Sequence, residues 1–199
     1  MLMGQLPDTR IPFVDIDAAS GAETAVQHLI DLGHKQIAII TNAPLTYTSA
    51  RQRQNGYLQA LQKAGLQISD TLIMEGNYTP ASGFEKMNLL LDQPTRPTAV
   101  FIASDVVAMG AILAIKRAGL RIPEDIAIVG FDDIPLAAFF DPPLTTIRVP
   151  AFGLGWAVSE RLIRLIRNEG LDQTGVFLRI TIPRARRASW RQRSIGLAK

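Results

Sequence analysis

Polar and aromatic side chains gather at four places in this sequence, each directly after a short apolar run. Ile37 to Thr41 leads into Asn42 to Ala50 and on to Arg51 and Arg53. Thr71 to Met74 leads into Glu75-Gly76-Asn77-Tyr78, Thr98 to Ala103 into Ser104-Asp105, and Ile126 to Val129 into Gly130-Phe131-Asp132-Asp133. A carboxylate accepts two hydroxyl donors, a guanidinium donates in a fork, and an aromatic face packs on the C–H side of a sugar ring. Asp132, Arg53 and Tyr78 supply those three parts, with Ser104 and Asp105 beside them. Each residue also has a plain structural use. Asp105 suits the N-cap of the helix after it, Arg53 suits an ion pair, Asp133 suits a cap on the next short helix, and Tyr78 suits packing. Their joint location is what favours a ligand.

Catalytic chemistry finds little to work with. His28 falls inside one expected helix and His34 just past its end, both as structural residues, with no His-x-x-x-His or cysteine spacing for a metal. There is no Gly-x-Gly-x-x-Gly or Gly-x-x-x-x-Gly-Lys-Thr for phosphates and no Gly-x-Ser-x-Gly nucleophile elbow. The expectation is a binding protein without catalytic residue, metal or cofactor, and not an enzyme.

The elements that must position these residues follow from periodicity. Short apolar, β-branched runs alternate with longer segments of helical period, the mark of βαβ units. Strands are expected at Ile11 to Ile16, Ile37 to Thr41, Thr71 to Met74, Thr98 to Ala103, Ile126 to Val129 and Val176 to Ile182. Helices are expected at Ser20 to Leu32, Thr48 to Ala64, Thr79 to Leu91, Asp105 to Ala118 and Ala151 to Arg167. Strands that are apolar throughout belong to a parallel sheet with helices on both faces, so the fold class is doubly wound α/β. Ligands in such sheets bind beyond the carboxyl ends of the strands, where the four polar clusters fall. Pro142 and Pro143 stiffen the DPPLTT segment into an extended crossing. Ser20 to Ile147 holds a full set of alternating units with stray pieces at both ends, as though part of a second lobe were missing.

With 199 residues and 47% apolar content the chain can bury a sizeable core. It has no cysteine, which fits a reducing cytoplasm. No apolar run approaches the roughly 20 residues of a membrane span, and the start lacks the layout of a secretory signal. The formal net charge is +3, but Arg184, Arg186, Arg187, Arg191, Arg193 and Lys199 crowd the end and the remainder is slightly acidic. That tail is read as a solvated terminus rather than a nucleic-acid surface.

Four stretches in register, HLIDLGHKQIAII, ARQRQNGYLQAL, ASDVVAMGAILAIKRAGLRIPEDIAIVGFDD and FDPPLTTIRVP, resemble the effector domain of LacI-type (lactose-repressor family) transcription regulators over about Ile11 to Arg167. The resemblance implies a periplasmic-binding-protein-like fold, a Rossmann-like parallel sheet flanked by helices, with one complete lobe and part of a second. It implies a remnant of the N-terminal lobe in 1–17, the C-terminal lobe in 18–147, a crossover and helix returning to the N-terminal lobe in 148–175, and a terminal strand and basic tail in 176–199. Asp17 and Ile147, Arg148 and Val149 become crossover points. Carried over by position, Arg53 is the arginine of the RxxG pattern, Tyr78 the loop aromatic and Asp132 the cleft carboxylate. Ser104 replaces the commoner asparagine beside Asp105, and Ala151 replaces a bulkier or polar residue.

The implied function is binding of a small-molecule effector, a sugar first and a purine second, by a homodimer that meets operator DNA only through a helix-turn-helix head absent from this chain. The helix Val106 to Ala118, with Val107, Ala111, Ile112 and Ile115, is the candidate dimer face, with core packing as its other reading. A solute-binding protein of a sugar uptake transporter is the rival with the same core, and a sugar- or nucleotide-processing enzyme the next.

Overall fold

The computed structural model describes residues 1–4, 10–171 and 173–182. The elements in chain order are β1 (Leu2–Met3), β2 (Phe13–Ile16), α1 (Ala18–Asp31), β3 (Ile37–Ile40), α2 (Thr48–Lys63), β4 (Ile73–Met74), α3 (Pro80–Leu91), β5 (Ala99–Ile102), α4 (Asp105–Arg117), β6 (Ala127–Asp132), β7 (Thr146–Arg148), α5 (Ala151–Ile166) and β8 (Gly175–Leu178). Five strands form a parallel sheet in the order β4-β3-β5-β6-β7, and three form a smaller parallel sheet in the order β1-β2-β8.

The apolar pattern explains the larger sheet. Every residue of β3 and β5 is buried. Side chains alternate faces along a strand, so Ile37, Ile39, Ala99 and Phe101 join α1 and α2 in one core. Ala38, Ile40, Val100 and Ile102 join α3 and α4 in the other. Two glycines let α3 and α4 cross closely: a Cβ on Gly83 would meet the Val107 carbonyl, and one on Gly110 the Pro80 carbonyl.

Helix ends follow local chemistry. Asp17 caps α1, its carboxylate accepting from the Ser20 backbone N–H at 3.0 Å and the Ser20 hydroxyl at 2.6 Å, so the helix starts at Ala18 rather than Ser20. Thr79 caps α3 ahead of Pro80, a residue suited to a first turn because it has no N–H to leave unpaired.

Other departures from the sequence expectations have clear causes. Thr71 and Leu72 belong to a 3-10 turn, Asp70–Leu72, and only Ile73 and Met74 pair with β3. The end of the proline-stiffened crossing is itself a strand, since Thr146 to Arg148 pair with Gly130 to Asp132. Val107, Ala111, Ile112 and Ile115 all lie in the core; the apolar residues that α4 shows to solvent are Met109 and Leu113. The four named for a dimer face therefore take their core reading. The basic segment from Arg184 onward lies outside the described residues.

Among the described residues the chain passes between the two sheets three times. Asp17 separates β2 of the small sheet from α1 on the large one, and Val149-Pro150 leads from β7 to α5, which packs on β1 and β2. After β8 the chain returns beside β7, where the Arg148 N–H donates to the Thr181 carbonyl at 2.7 Å. The resemblance named residues for two such passages and none for a third.

Candidate functional site

The order of the large sheet dictates where a site can form. From β3 the chain goes to β4 on one side, then to β5 on the other, so the order reverses between β3 and β5. Loops leaving those neighbouring strands diverge and open a crevice at their carboxyl ends. Asn42, after β3, and Ala103-Ser104, after β5, flank it.

Arg53 comes from the buried side of α2 and lies under this crevice. Its guanidinium sits 3.9 Å from the centroid of the Phe131 ring, Nη1 donates to the Ala103 carbonyl, and Nη2 meets Asp132 Oδ1 at 3.2 Å. The Ser104 hydroxyl donates to Asp132 Oδ2 at 3.0 Å. Three residues separated widely in sequence thus form one polar floor. Burial pushes Asp132 up and Arg53 down toward their neutral forms, while their mutual attraction and the Ser104 bond oppose this.

Two tyrosines stand in the loops after β3 and β4, Tyr78 near enough to Arg53 to interact with it electrostatically. Tyr47 and Tyr78 meet edge to face with centroids 5.6 Å apart, both about half exposed. The loops carrying them are tied together: Tyr78 N–H donates to the Asn42 carbonyl at 2.7 Å, Gly76 N–H to Thr41 Oγ1 at 3.1 Å, and Leu45 N–H to Glu75 at 3.1 Å. Beyond Tyr47, Thr48 and Ser49 a cleft of about 370 Å³ opens toward Leu2, Met3, Gly4 and Asp15 of the small sheet.

Two features mark this region as more than packing. Tyr78, Asp132 and Asp133 all have left-handed φ values of 53°, 118° and 57°, which non-glycine residues adopt rarely and which cluster at functional sites. Asn42 Oδ1 and Arg53 Nε are buried without a hydrogen-bond partner among the described residues, whereas buried polar groups are otherwise almost always paired.

The structure assigns other parts to two aspartates. Asp105 is fully buried, and it does not cap α4, whose N-cap residue is Ser104. Its Oδ1 accepts from Thr146 Oγ1 at 2.6 Å and its Oδ2 from the Ile134 N–H at 3.0 Å, with the Asp133 N–H also bonded to it. Burial pushes its carboxyl up to about 7 against those three bonds. Asp133 does not cap the 3-10 turn Pro135–Phe139; its carboxylate accepts from Arg148 Nε at 2.6 Å.

Sequence reasoning passed over Tyr47 and Asn42 as individual residues. Their signal was that they lie in the polar loop after β3; no periodicity marks a loop residue. His34 Nδ1 lies 3.0 Å from Thr98 Oγ1 at the opposite end of the sheet. Among the described residues no group of His, Cys, Asp and Glu could hold a metal ion, and no helix is long and apolar enough to cross a membrane.

Residues 26–187 match the periplasmic binding protein-like domain family. Among similar curated proteins, the HTH-type transcriptional repressor PurR of Pasteurella multocida is 49% identical over 135 residues, 68% of this chain and 40% of that protein. PurR of Haemophilus influenzae is 41% identical over 169 residues, 84% and 50% of the two chains. The HTH-type transcriptional repressor CytR of Escherichia coli is 44% identical over 149 residues, 75% and 43%. The chain spans about half the length of the curated relatives it matches. Among solved structures, a LacI-family regulatory protein from Chloroflexus aggregans superposes with a TM-score of 0.86 at 35% identity, over 90% of this chain and 65% of that one. The transcriptional regulator CelR in complex with cellobiose does so with a TM-score of 0.85 at 34% identity, over 89% and 54%.

Proposed function

This chain belongs to the periplasmic binding protein-like domain family and, within it, to the LacI-type regulators, and from that premise we propose that it is the effector-binding and dimerisation module of a transcription regulator. The observation that carries the reading is the Arg53, Asp132 and Ser104 floor at the strand-order reversal, with Tyr78 near Arg53 and Tyr47 packed against Tyr78. The floor offers a fork of donors, carboxylate acceptors and a hydroxyl, and the tyrosines offer aromatic faces, a set suited to a small polyhydroxylated effector. The solved neighbour in complex with cellobiose makes saccharides the first class to test.

Binding in a cleft between two lobes shifts the balance between their arrangements, and that shift is what a regulator reads; no bond need be made or broken. Asp17, Ile147, Arg148 and Val149 are the segments about which the lobes reorient. The relatives are transcriptional repressors, so we favour a regulator over a transport protein or an enzyme. We place the whole protein in the cytoplasm with its operator, reached through a helix-turn-helix head outside this chain. In the dimer a second copy packs on the groove lined by Phe84, Met109 and Leu113, the apolar surface α3 and α4 leave open.

A thermal-shift screen of mono- and disaccharides, with purines and nucleosides as a second panel, tests the effector site. The expected result is one class that raises the unfolding midpoint, with the rise lost in Asp132→Asn and Tyr78→Ala. Binding that survives both substitutions overturns the site. Reading the gene upstream of Met1 for a helix-turn-helix segment tests the DNA half, as does a band shift at physiological salt, where sequence-specific binding by this chain alone would contradict the proposal.

A further inference from the structure

We infer that Asp105 is a positioning residue, which clamps the strained turn at Asp132 and Asp133 to the crossover strand β7 so that the site carboxylate and the crossover move as one body. The geometry stands whatever molecule enters the cleft.

Four observations converge. Asp105 is sealed from water and its two oxygens reach in two directions, Oδ1 to Thr146 of β7 at 2.6 Å and Oδ2 to the Ile134 N–H at 3.0 Å. The Asp133 N–H bonds the same carboxylate, so it holds successive amides directly after Asp132. Those amides follow the two residues at φ values of 118° and 57°. Such conformations persist only where surrounding bonds over-determine them. Room for the clamp is built into the sequence, because a Cβ on Gly130 would run into Asp105 Oδ1.

The consequence follows along the two strands. Gly130 pairs with Thr146 and Asp132 with Arg148, and the Val149 N–H donates to the Asp132 carbonyl at 3.2 Å. Asp132 turns its carboxylate to Arg53 and Ser104, while Asp133 turns its own to Arg148. Adjacent aspartates therefore face the site and the crossover, and Asp105 fixes the turn that keeps them back to back. With the turn held rigid, a displacement of Asp132 reaches Arg148 through its side-chain partner Asp133 as well as along the strand ladder.

Amide hydrogen exchange by NMR on this chain tests the clamp. In Asp105→Asn, where Nδ2 cannot accept, the Asp133, Ile134 and Val149 amides are expected to exchange about tenfold faster or more relative to the α1 amides. The comparator is Ile115→Val, a buried core change that lowers the melting point without touching the clamp. If it speeds the same amides equally, Asp105 is merely structural and the inference fails. Should Asp105→Asn not fold, Thr146→Val carries the test. It cuts only the link to β7, so the Val149 amide should accelerate while Ile134 stays protected; an unchanged Val149 amide overturns the inference.

Discussion

Replacing Arg53 by methionine keeps an unbranched side chain of comparable length over Phe131 but removes the charge that faces Asp132. The carboxylate left behind keeps two donors, the Ser104 hydroxyl and the Asp105 N–H, with 29% of its side chain exposed. Removing one partner of a buried pair costs about 3–5 kcal/mol because the other charge is stranded. Partial exposure of Asp132 puts this case near the lower end, about 3 kcal/mol. The Ala103 carbonyl also loses its donor, which adds about 1 kcal/mol. A loss of that size is a large fraction of the roughly 5–15 kcal/mol available to a domain.

The two parts separate by pH. Asp132 is already raised by burial, and without Arg53 it rises further, so the folded variant holds a proton to a higher pH than the unfolded chain does. Its stability then falls as pH rises above the ordinary carboxylate range of about 4. Urea unfolding followed by circular dichroism should show a wild-type-to-variant gap about 2 kcal/mol wider at pH 8 than at pH 4.5. Adding Asp132→Asn should recover roughly half the loss at pH 8, since replacing both partners strands no charge. An equal gap at both pH values, or no recovery in the double variant, would refute the view that Arg53 compensates a buried carboxylate.

Gly130→Ala drives a methyl group into Asp105 Oδ1 and toward Leu144; overpacking of this kind should lower stability by about 2 kcal/mol in urea, and a neutral result would show that the clamp has slack. Asp105, raised to about 7 in the folded chain, holds its proton above the unfolded value. Wild-type stability should therefore fall by roughly 1–3 kcal/mol between pH 5 and pH 8. Asp105→Asn should flatten that slope, and an unaltered slope would assign it to another group. Met109→Asp with Leu113→Asp places charge on the groove between α3 and α4, and sedimentation should report a monomer where the unsubstituted chain dimerises. An unchanged sedimentation coefficient for a dimeric wild type would move the interface elsewhere.

Much of the fold was legible because its causes are local. The stretches Ile37 to Ile40 and Ala99 to Ile102 are apolar at every position, which only a strand covered on both faces requires. Gly33 and Gly65 stop their helices at positive φ, a short-range effect the sequence displays directly. The four polar clusters also followed from periodicity, since a parallel sheet places every strand exit on one edge.

What each polar residue does there was decided in three dimensions. Asp105 sits one residue inside the α4 cap, yet Gly130 leaves a hole beside it and Thr146 and Ile134 supply donors from 41 and 29 residues away. Tyr47 reaches the site only because the loops after β3 and β4 are tied together. The strand at Thr146 to Arg148 was hidden because its pairing partner lies in β6 and not in its own composition. Composition and period specify which segments are buried and in what form; which donor meets which acceptor depends on strand order and register, and those are set by long-range packing.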